Sequence, residues 1–151
     1  MRHRSRAFGA LALATAAPLL AAAEAEDGVT VEITVTELRN TKGVVMACMT
    51  DNPDIFPRCR EDPDSFRTTV PAAETLTLRF TGVPAGTYAI ALLHDENENG
   101  RSDRALTLIP REGYGFSNDA PVRMGPPDFE DAEFTVGDTE VHQQIRMRYW
   151  L

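Results

Sequence analysis

The chain has 151 residues, 42% of them hydrophobic and 25% charged, and a formal net charge of −8. This length is sufficient for one folded domain. The acidic balance argues against nucleic acid and anionic lipid as partners, because both carry negative charge.

The first 25 residues are predicted to be a secretory signal peptide. Basic residues at 2–6 precede an Ala- and Leu-rich run at 7–23, and small residues suited to cleavage follow, up to Ala25. A membrane anchor is the alternative, but a run of about 17 residues is at the short edge of a spanning helix. We therefore expect a single mature domain, residues 26–151, that is periplasmic or secreted and not inserted in the membrane. Loss of three Arg and one Glu with the leader would move the formal net charge from −8 to −10.

The mature sequence alternates apolar and polar residues with period two, which is typical of half-buried strands. Turn residues at 40–43 indicate that the first two strands form a hairpin. The fifth strand is apolar on both faces, so we expect it in the centre of a sheet. A short strand at 106–109 is a further candidate. In chain order, the predicted strands cover residues 29–38, 44–49, 66–70, 76–80, 88–94, 132–136 and 141–149.

About seven strands with regularly spaced turns predict an all-β fold. The expected architecture is an antiparallel β-sandwich, immunoglobulin-like or transthyretin-like, and a closed barrel is the alternative. Residues 110–121 interleave Gly, Pro and aromatic residues, so we expect an ordered but irregular segment there.

Cys48 and Cys59 are the only two cysteines. Behind a signal peptide, a pair this close is typical of a disulfide. The bond would close a loop of about 12 residues and contribute about 2–3 kcal/mol in the chain-entropy model. Two unpaired thiols are the alternative, and the absence of a Cys-x-x-Cys spacing disfavours zinc.

An acidic loop follows the strand at 88–94, and Gly100 within it permits a sharp bend. Oxygen donors recur at positions one, three, five, seven and nine of a calcium-binding loop, the seventh being a backbone carbonyl. The spacing predicts calcium as a cofactor. The predicted ligands are Asp95, Asn97, Asn99, Arg101 and Asp103.

The same loop has a simpler explanation as a solvated acidic turn, because Asn and Gly are strong turn formers. It also departs from the helix-loop-helix calcium pattern. Position twelve is Leu106 and not a bidentate Glu, and the loop follows a strand. With only two certain carboxylates, we expect weak binding, on the order of 0.1–1 mM.

Aromatic and polar side chains near the acidic loop form a candidate ligand-facing surface. Aromatic faces flanked by amides suit carbohydrate or peptide ligands, whereas packing of Tyr114 and Phe116 against the sandwich edge is the simpler role. An unknown protein is the other partner class, reached for example through an exposed strand edge. The candidate residues are His94, Tyr114, Phe116, Ser117 and Asn118.

Three segments resemble, in order, the bacterial family numbered 2141 among domains of unknown function. They are 83–88, 94–103 and 109–118, later joined by 129–132. The resemblance covers nearly the whole mature chain and implies an exported domain with no established activity. The two-cysteine loop at 48–59 lies outside the general pattern.

These features favour an exported β-sandwich of the binding or accessory class, with a weak structural calcium site. The alternative is an enzyme of unknown class that uses His94 and nearby carboxylates. A histidine at a strand end invites a role as general base. However, no nucleophile elbow is present, and Ser117 has no assigned base. Exposure of His94 in a cleft would favour the enzyme, whereas burial under the loop would favour the binding module.

Overall fold

The computed structural model describes residues 28–105 and 109–150. The predicted signal peptide and most of the candidate strand at 106–109 lie outside the described residues. The elements run in chain order: β1 Val29–Thr36, β2 Val44–Thr50, β3 Phe66–Pro71, β4 Leu76–Val83, β5 Gly86–Asp95, β6 Arg104–Ala105, β7 Ile109–Pro110, β8 Gly113–Phe116, α1 Phe129–Ala132, β9 Phe134–Val136 and β10 Val141–Arg146.

Two main sheets form an open sandwich, which confirms the all-β prediction. One sheet has three strands in the order β10-β1-β4, and the other has the order β3-β2-β5-β8, with β9 also pairing with β5. All of these pairs are antiparallel except one, because β10 runs parallel to β1. The short strands β6 and β7 pair with each other beside the acidic loop.

The core lies between the two sheets and follows from the period-two pattern. Alternate residues of β1, Val31, Ile33 and Val35, are fully or almost fully buried, and they face Ile90 and Leu92 of β5 across one continuous apolar cluster. Complete burial of an aliphatic side chain contributes about 1.5–3 kcal/mol, so these alternating positions hold the sheets together.

The outer face of the five-stranded sheet carries a second apolar cluster. Cys48, Ala91 and Phe116 lie side by side on β2, β5 and β8, and Phe56 and Phe129 pack over them. This cluster explains why β5 is apolar on both faces, and it confirms the central position that the sequence predicts for β5.

The predicted hairpin between the first two strands is wrong. β1 and β2 belong to different sheets, so the turn residues at 40–43 connect the two layers of the sandwich. Gly43 has φ +68°, and a Cβ atom there would lie 2.7 Å from Cα of Glu96. The chain therefore does turn at 40–43, as the sequence predicts. However, this turn connects one sheet to the other, and the acidic loop packs against it.

The predicted irregular segment at 110–121 contains strand β8, which is another difference from the sequence expectation. Its two glycines allow close approach of the last strand. A Cβ atom at Gly115 would lie 2.6 Å from Cγ2 of Ile145, and a Cβ at Gly113 would collide with Tyr149. Glycine at alternate positions removes the apolar side chains whose period would have indicated a strand.

Candidate functional site

The acidic loop is organised around the buried carboxylate of Asp95 at the end of β5. Its Oδ1 accepts the N–H of Asn99 at 3.2 Å, and its Oδ2 accepts the N–H of Gly100 at 2.7 Å. Positive φ angles at Glu98 and Gly100, 57° and 76°, let the chain turn around this side chain. The sequence pattern therefore produces a loop that wraps one carboxylate.

Three further predicted ligands converge on one point of this loop. The side-chain amides of Asn97 and Asn99 donate to the Asp103 carboxylate at 2.7 and 2.9 Å, and these bonds lower the pKa of Asp103. The N–H of Arg101 donates to Oδ1 of Asn99 at 3.0 Å. The structure thus brings the predicted side chains together, with the Asp103 carboxylate engaged by two amides.

A carboxylate that the spacing does not reveal completes this cluster. Glu112 is only 3% exposed, and its Oε2 accepts the N–H of Asp103 at 3.0 Å. Its Oε1 has no hydrogen-bond partner among the described residues. Burial raises the pKa of Glu112, and the charges of Asp95 and Asp103 raise it further, while backbone N–H groups of Asp103 and Glu96 oppose the shift. Glu112 comes from the segment that enters β8, so the spacing within one loop gives no sign of it.

His94 is fully buried, and both ring nitrogens are occupied. Nε2 lies 2.7 Å from the Lys42 carbonyl, and Nδ1 lies 2.7 Å from the hydroxyl of Tyr149. A carbonyl only accepts, so Nε2 donates to the Lys42 carbonyl, and in the neutral form of the imidazole Nδ1 then accepts the Tyr149 hydroxyl. His94 is thus held under the loop with no free nitrogen, and the enzyme alternative lacks support.

Ser117 and Asn118 join elements of the fold. The buried Ser117 hydroxyl accepts the N–H of Ile90 at 2.9 Å and donates to the Ala132 carbonyl at 2.5 Å. Asn118 adopts φ 56°, and its side chain donates to the Glu133 carbonyl at 2.6 Å. Neither residue is in the wall of the large groove that Tyr114 and Phe116 line.

That groove, about 940 Å³ in volume, opens on the outer face of the five-stranded sheet. The register places its floor in two rows across β2, β5 and β8. The disulfide loop and the acidic loop form walls, and segment 122–126 forms another. The floor residues are Met46, Cys48, Ala91, Leu93, Tyr114 and Phe116.

The predicted disulfide between Cys48 and Cys59 is present and fixes one wall of the groove. Cys48 belongs to the floor, so the bond holds the loop at 51–58 against the sheet. Phe56 on this loop packs edge-on against Phe116 and Phe129, with ring centroids 5.9 Å apart in each pair. The wall is therefore held by both a covalent bond and an aromatic cluster.

Large exposed apolar side chains concentrate at the groove. Among the described residues, only Met124 and Trp150 are large, hydrophobic and exposed, and both line it. Trp150, the single tryptophan of the chain, is 48% exposed. Apolar surface gathered in one concave site is typical of a place where a ligand binds.

Four arginines surround this apolar floor in a protein of net charge −8. Within the described part of the chain, none of the four has a carboxylate within salt-bridge distance. By contrast, Arg39 is paired with Glu96 at 2.7 Å. Glu61 is the acidic side chain in the described lining. The groove arginines are Arg58, Arg60, Arg101 and Arg123.

A separate group of possible metal donors lies on the outer face of the three-stranded sheet. Glu32, Glu140 and His142 place ligand atoms within 4.8 Å of one another. However, Arg79 already pairs with Glu32 at 2.6 Å, and Glu140 and His142 are exposed. We interpret this group as a solvated ion-pair cluster.

A family model for DUF2141, described as an uncharacterised protein conserved in bacteria, matches residues 33–144. No curated protein and no solved structure matches the chain. Within residues 28–105 and 109–150, no helix has the length and apolar character needed to cross a membrane.

Proposed function

We propose that this chain, which belongs to the uncharacterised bacterial family DUF2141, is an exported binding module. In this proposal, its groove holds a small amphipathic anion. The observation that carries the proposal is the pairing of an apolar floor with four arginines that have no carboxylate partner among the described residues. An aliphatic or aromatic body would cover the floor, and a carboxylate would meet the arginines.

The physical argument rests on complementarity. Arginine presents a planar fork of N–H donors that matches a carboxylate in two parallel hydrogen bonds. A long apolar chain gains from leaving water by roughly 25 cal/mol for each Å² that the floor covers. An uncharged sugar would gain less from the arginines, and a cation would be repelled by them.

Export is the second part of the proposal. It is supported by the predicted leader at 1–25 and by the disulfide, which persists in oxidising compartments. Fractionation of the host cell, followed by mass spectrometry of the amino terminus, should recover the protein outside the cytoplasm and starting at Glu26. Recovery of an intact leader in the cytoplasm would contradict it.

Trp150 provides a built-in reporter of groove occupancy, because it is the only tryptophan and lines the groove. We would titrate the purified, oxidised protein with dodecanoate below its micelle concentration and follow tryptophan fluorescence. Dodecanol and dodecyltrimethylammonium serve as uncharged and cationic probes of equal chain length. The proposal predicts saturable binding of dodecanoate and at least tenfold weaker binding of the other two.

The double variant Arg58→Gln/Arg123→Gln tests the arginines directly. Hydrogen bonds to charged groups contribute about 1.5–3 kcal/mol each, so the Kd for dodecanoate should rise at least tenfold. Lys42→Gln removes a positive charge from an exposed residue that is not in the described lining and should leave Kd unchanged. Equal affinity for all three probes, or saturable binding of a peptide or sugar alone, would overturn the assignment.

A further inference from the structure

We propose that Glu112 is the missing acidic ligand of a calcium site formed with the loop at 95–103. In this site Asp95, Asp103 and Glu112 supply carboxylate oxygens, and Asn97 and Asn99 supply amide oxygens. The proposal stands independently of the ligand that occupies the groove. Glu112, which comes from the segment that enters β8, would take the role of the acidic residue that is missing at position twelve of the loop pattern.

The first argument is the environment of Glu112. A carboxylate that is 97% removed from solvent, with Oε1 unpartnered among the described residues, is costly unless something compensates it. The hydrogen bond from the Asp103 N–H to Oε2 fixes the side chain against the loop. Glu112 thus lies against the loop with one carboxylate oxygen still available as a donor to a cation.

The second argument is local charge. Asp95 is 0% exposed, and Asp103 and Glu112 lie beside it. None of these three carboxylates has a salt bridge to a described side chain. Arg101 and Arg111 influence the charge of Asp103 only from beyond salt-bridge distance. Three adjacent carboxylates without a cationic side-chain partner concentrate negative charge, which a bound cation would offset.

The donor set selects the class of cation. All five side chains offer hard oxygen ligands, and an all-oxygen set from protein side chains suits calcium better than magnesium, which usually keeps several of its waters. Thiol and imidazole donors are absent from the set, because Cys48 and Cys59 are bonded to each other and His94 is committed to Tyr149 and Lys42. This composition also disfavours zinc.

Binding requires small side-chain movements. In the described part of the chain, oxygens of Asp95, Asp103 and Glu112 do not all lie within 4.8 Å of one another. Asn97 and Asn99 now direct their amide N–H groups at Asp103. Rotation of these two amides would turn their oxygens inward, and the carboxylates would close on the ion.

The test compares thermal unfolding of the purified, oxidised protein in EDTA, in 5 mM CaCl₂ and in 5 mM MgCl₂. With a Kd near 0.5 mM, 5 mM calcium should raise Tm by about 5 °C. Glu112→Gln keeps the size of the side chain and an acceptor for the Asp103 N–H. It should lose most of that rise, and Kd from calcium titration calorimetry should increase at least tenfold.

Glu98→Gln is the matched control, because it removes one charge from an exposed position of the same loop that is not among the proposed ligands. It should keep the full calcium-dependent rise. A rise that survives in Glu112→Gln would overturn the role of Glu112. A wild-type protein with no calcium-specific rise would overturn the site. If Glu112→Gln folds poorly, Asp95→Asn can replace it as the test variant. Backbone NMR shifts at Gly100 on calcium addition then give a second readout.

Discussion

The Tyr149 hydroxyl and Nδ1 of the buried His94 share a hydrogen bond across 2.7 Å. The same hydroxyl accepts the N–H of Arg39 at 3.2 Å, and the Arg39 guanidinium lies 4.6 Å from the centre of the Tyr149 ring. One phenol therefore joins the segment after β10, the end of β5 and the connection between the two sheets. The acidic loop begins at the next residue, Asp95, so this junction sets where the loop starts.

Replacement of Tyr149 by Phe should destabilise the protein by about 1–3 kcal/mol, because it leaves Nδ1 of His94 buried without a partner. Urea denaturation measures the loss. Tyr88→Phe is a suitable comparison, since it removes a hydroxyl whose acceptor is the carbonyl of the exposed Pro84. Equal losses in the two variants would contradict the special role of the His94 contact.

The ion pair between Arg39 and Glu96 predicts a pH dependence of stability. The Arg39 guanidinium, with help from Asn40, lowers the pKa of Glu96 from 4.5 to about 2. The pKa in the folded protein is below the unfolded value. The contribution is therefore complete above about pH 4.5 and is lost as the pH falls towards 2.

Arg39→Gln should accordingly cost about 1 kcal/mol at pH 7, and the difference from wild type should shrink between pH 4.5 and 2. NMR titration of the Glu96 carboxyl should show its pKa returning towards 4.5 in the variant. Arg79→Gln removes a more exposed partner of Glu32 and should cost less. A difference that stays constant down to pH 2 would argue against the ion pair as the cause.

The close contact between Gly115 and the last strand predicts a packing defect on substitution. A Cβ at Gly115 would meet Cγ2 of Ile145 at 2.6 Å and the carbonyl of Arg146 at 3.2 Å. Overpacking of this kind costs about 1–3 kcal/mol, so Gly115→Ala should lower the free energy of unfolding by that amount. Gly125→Ala has no atom within 4 Å of its new methyl group and should be nearly neutral. Similar stability of the two variants would show that β8 and β10 are farther apart.

Removal of the disulfide should lower the stability of the protein and also change the groove. Cys48→Ala/Cys59→Ala should cost about 2–3 kcal/mol in urea denaturation, since the unfolded chain regains the freedom of the closed loop. Because the bond fixes one wall of the groove, the Kd for dodecanoate should also rise. Wild-type protein treated with a reductant should behave like the variant, and unchanged stability in both would contradict a structural role.

Elements with clean alternation could be predicted from the sequence, and those defined by distant partners could not. β1 and β4 show apolar residues at every second position, so local periodicity was enough to identify them. Strand β8 was not predicted, because Gly113 and Gly115 leave no alternating apolar pattern. The parallel pairing of β10 with β1 joins strands that are far apart in the sequence, so the pattern of either strand alone does not predict it.

The candidate site divides in the same way. The predicted calcium ligands within 95–103 share one loop, so their spacing alone suggests a site, and the disulfide follows because only one pairing is available. Glu112 is contributed by the entry to β8, and its role depends on the fold. The groove arginines come from three separate segments, around 58–60, 101 and 123, so no local motif marks them.

The parallel pairing of β1 with β10 has a consequence for the timing of folding. Val31 lies opposite Val141 and Thr36 opposite Arg146, and the pairing continues through a hydrogen bond from the Met147 N–H to the Thr36 carbonyl. The edge of β1 that faces β10 is therefore covered only after β10, more than 100 residues later in the sequence, is available to pair with it. Contacts this distant along the chain form slowly, because loop closure must precede them. On a chain that emerges from the ribosome, this edge of β1 would therefore stay uncovered until β10 has been synthesised.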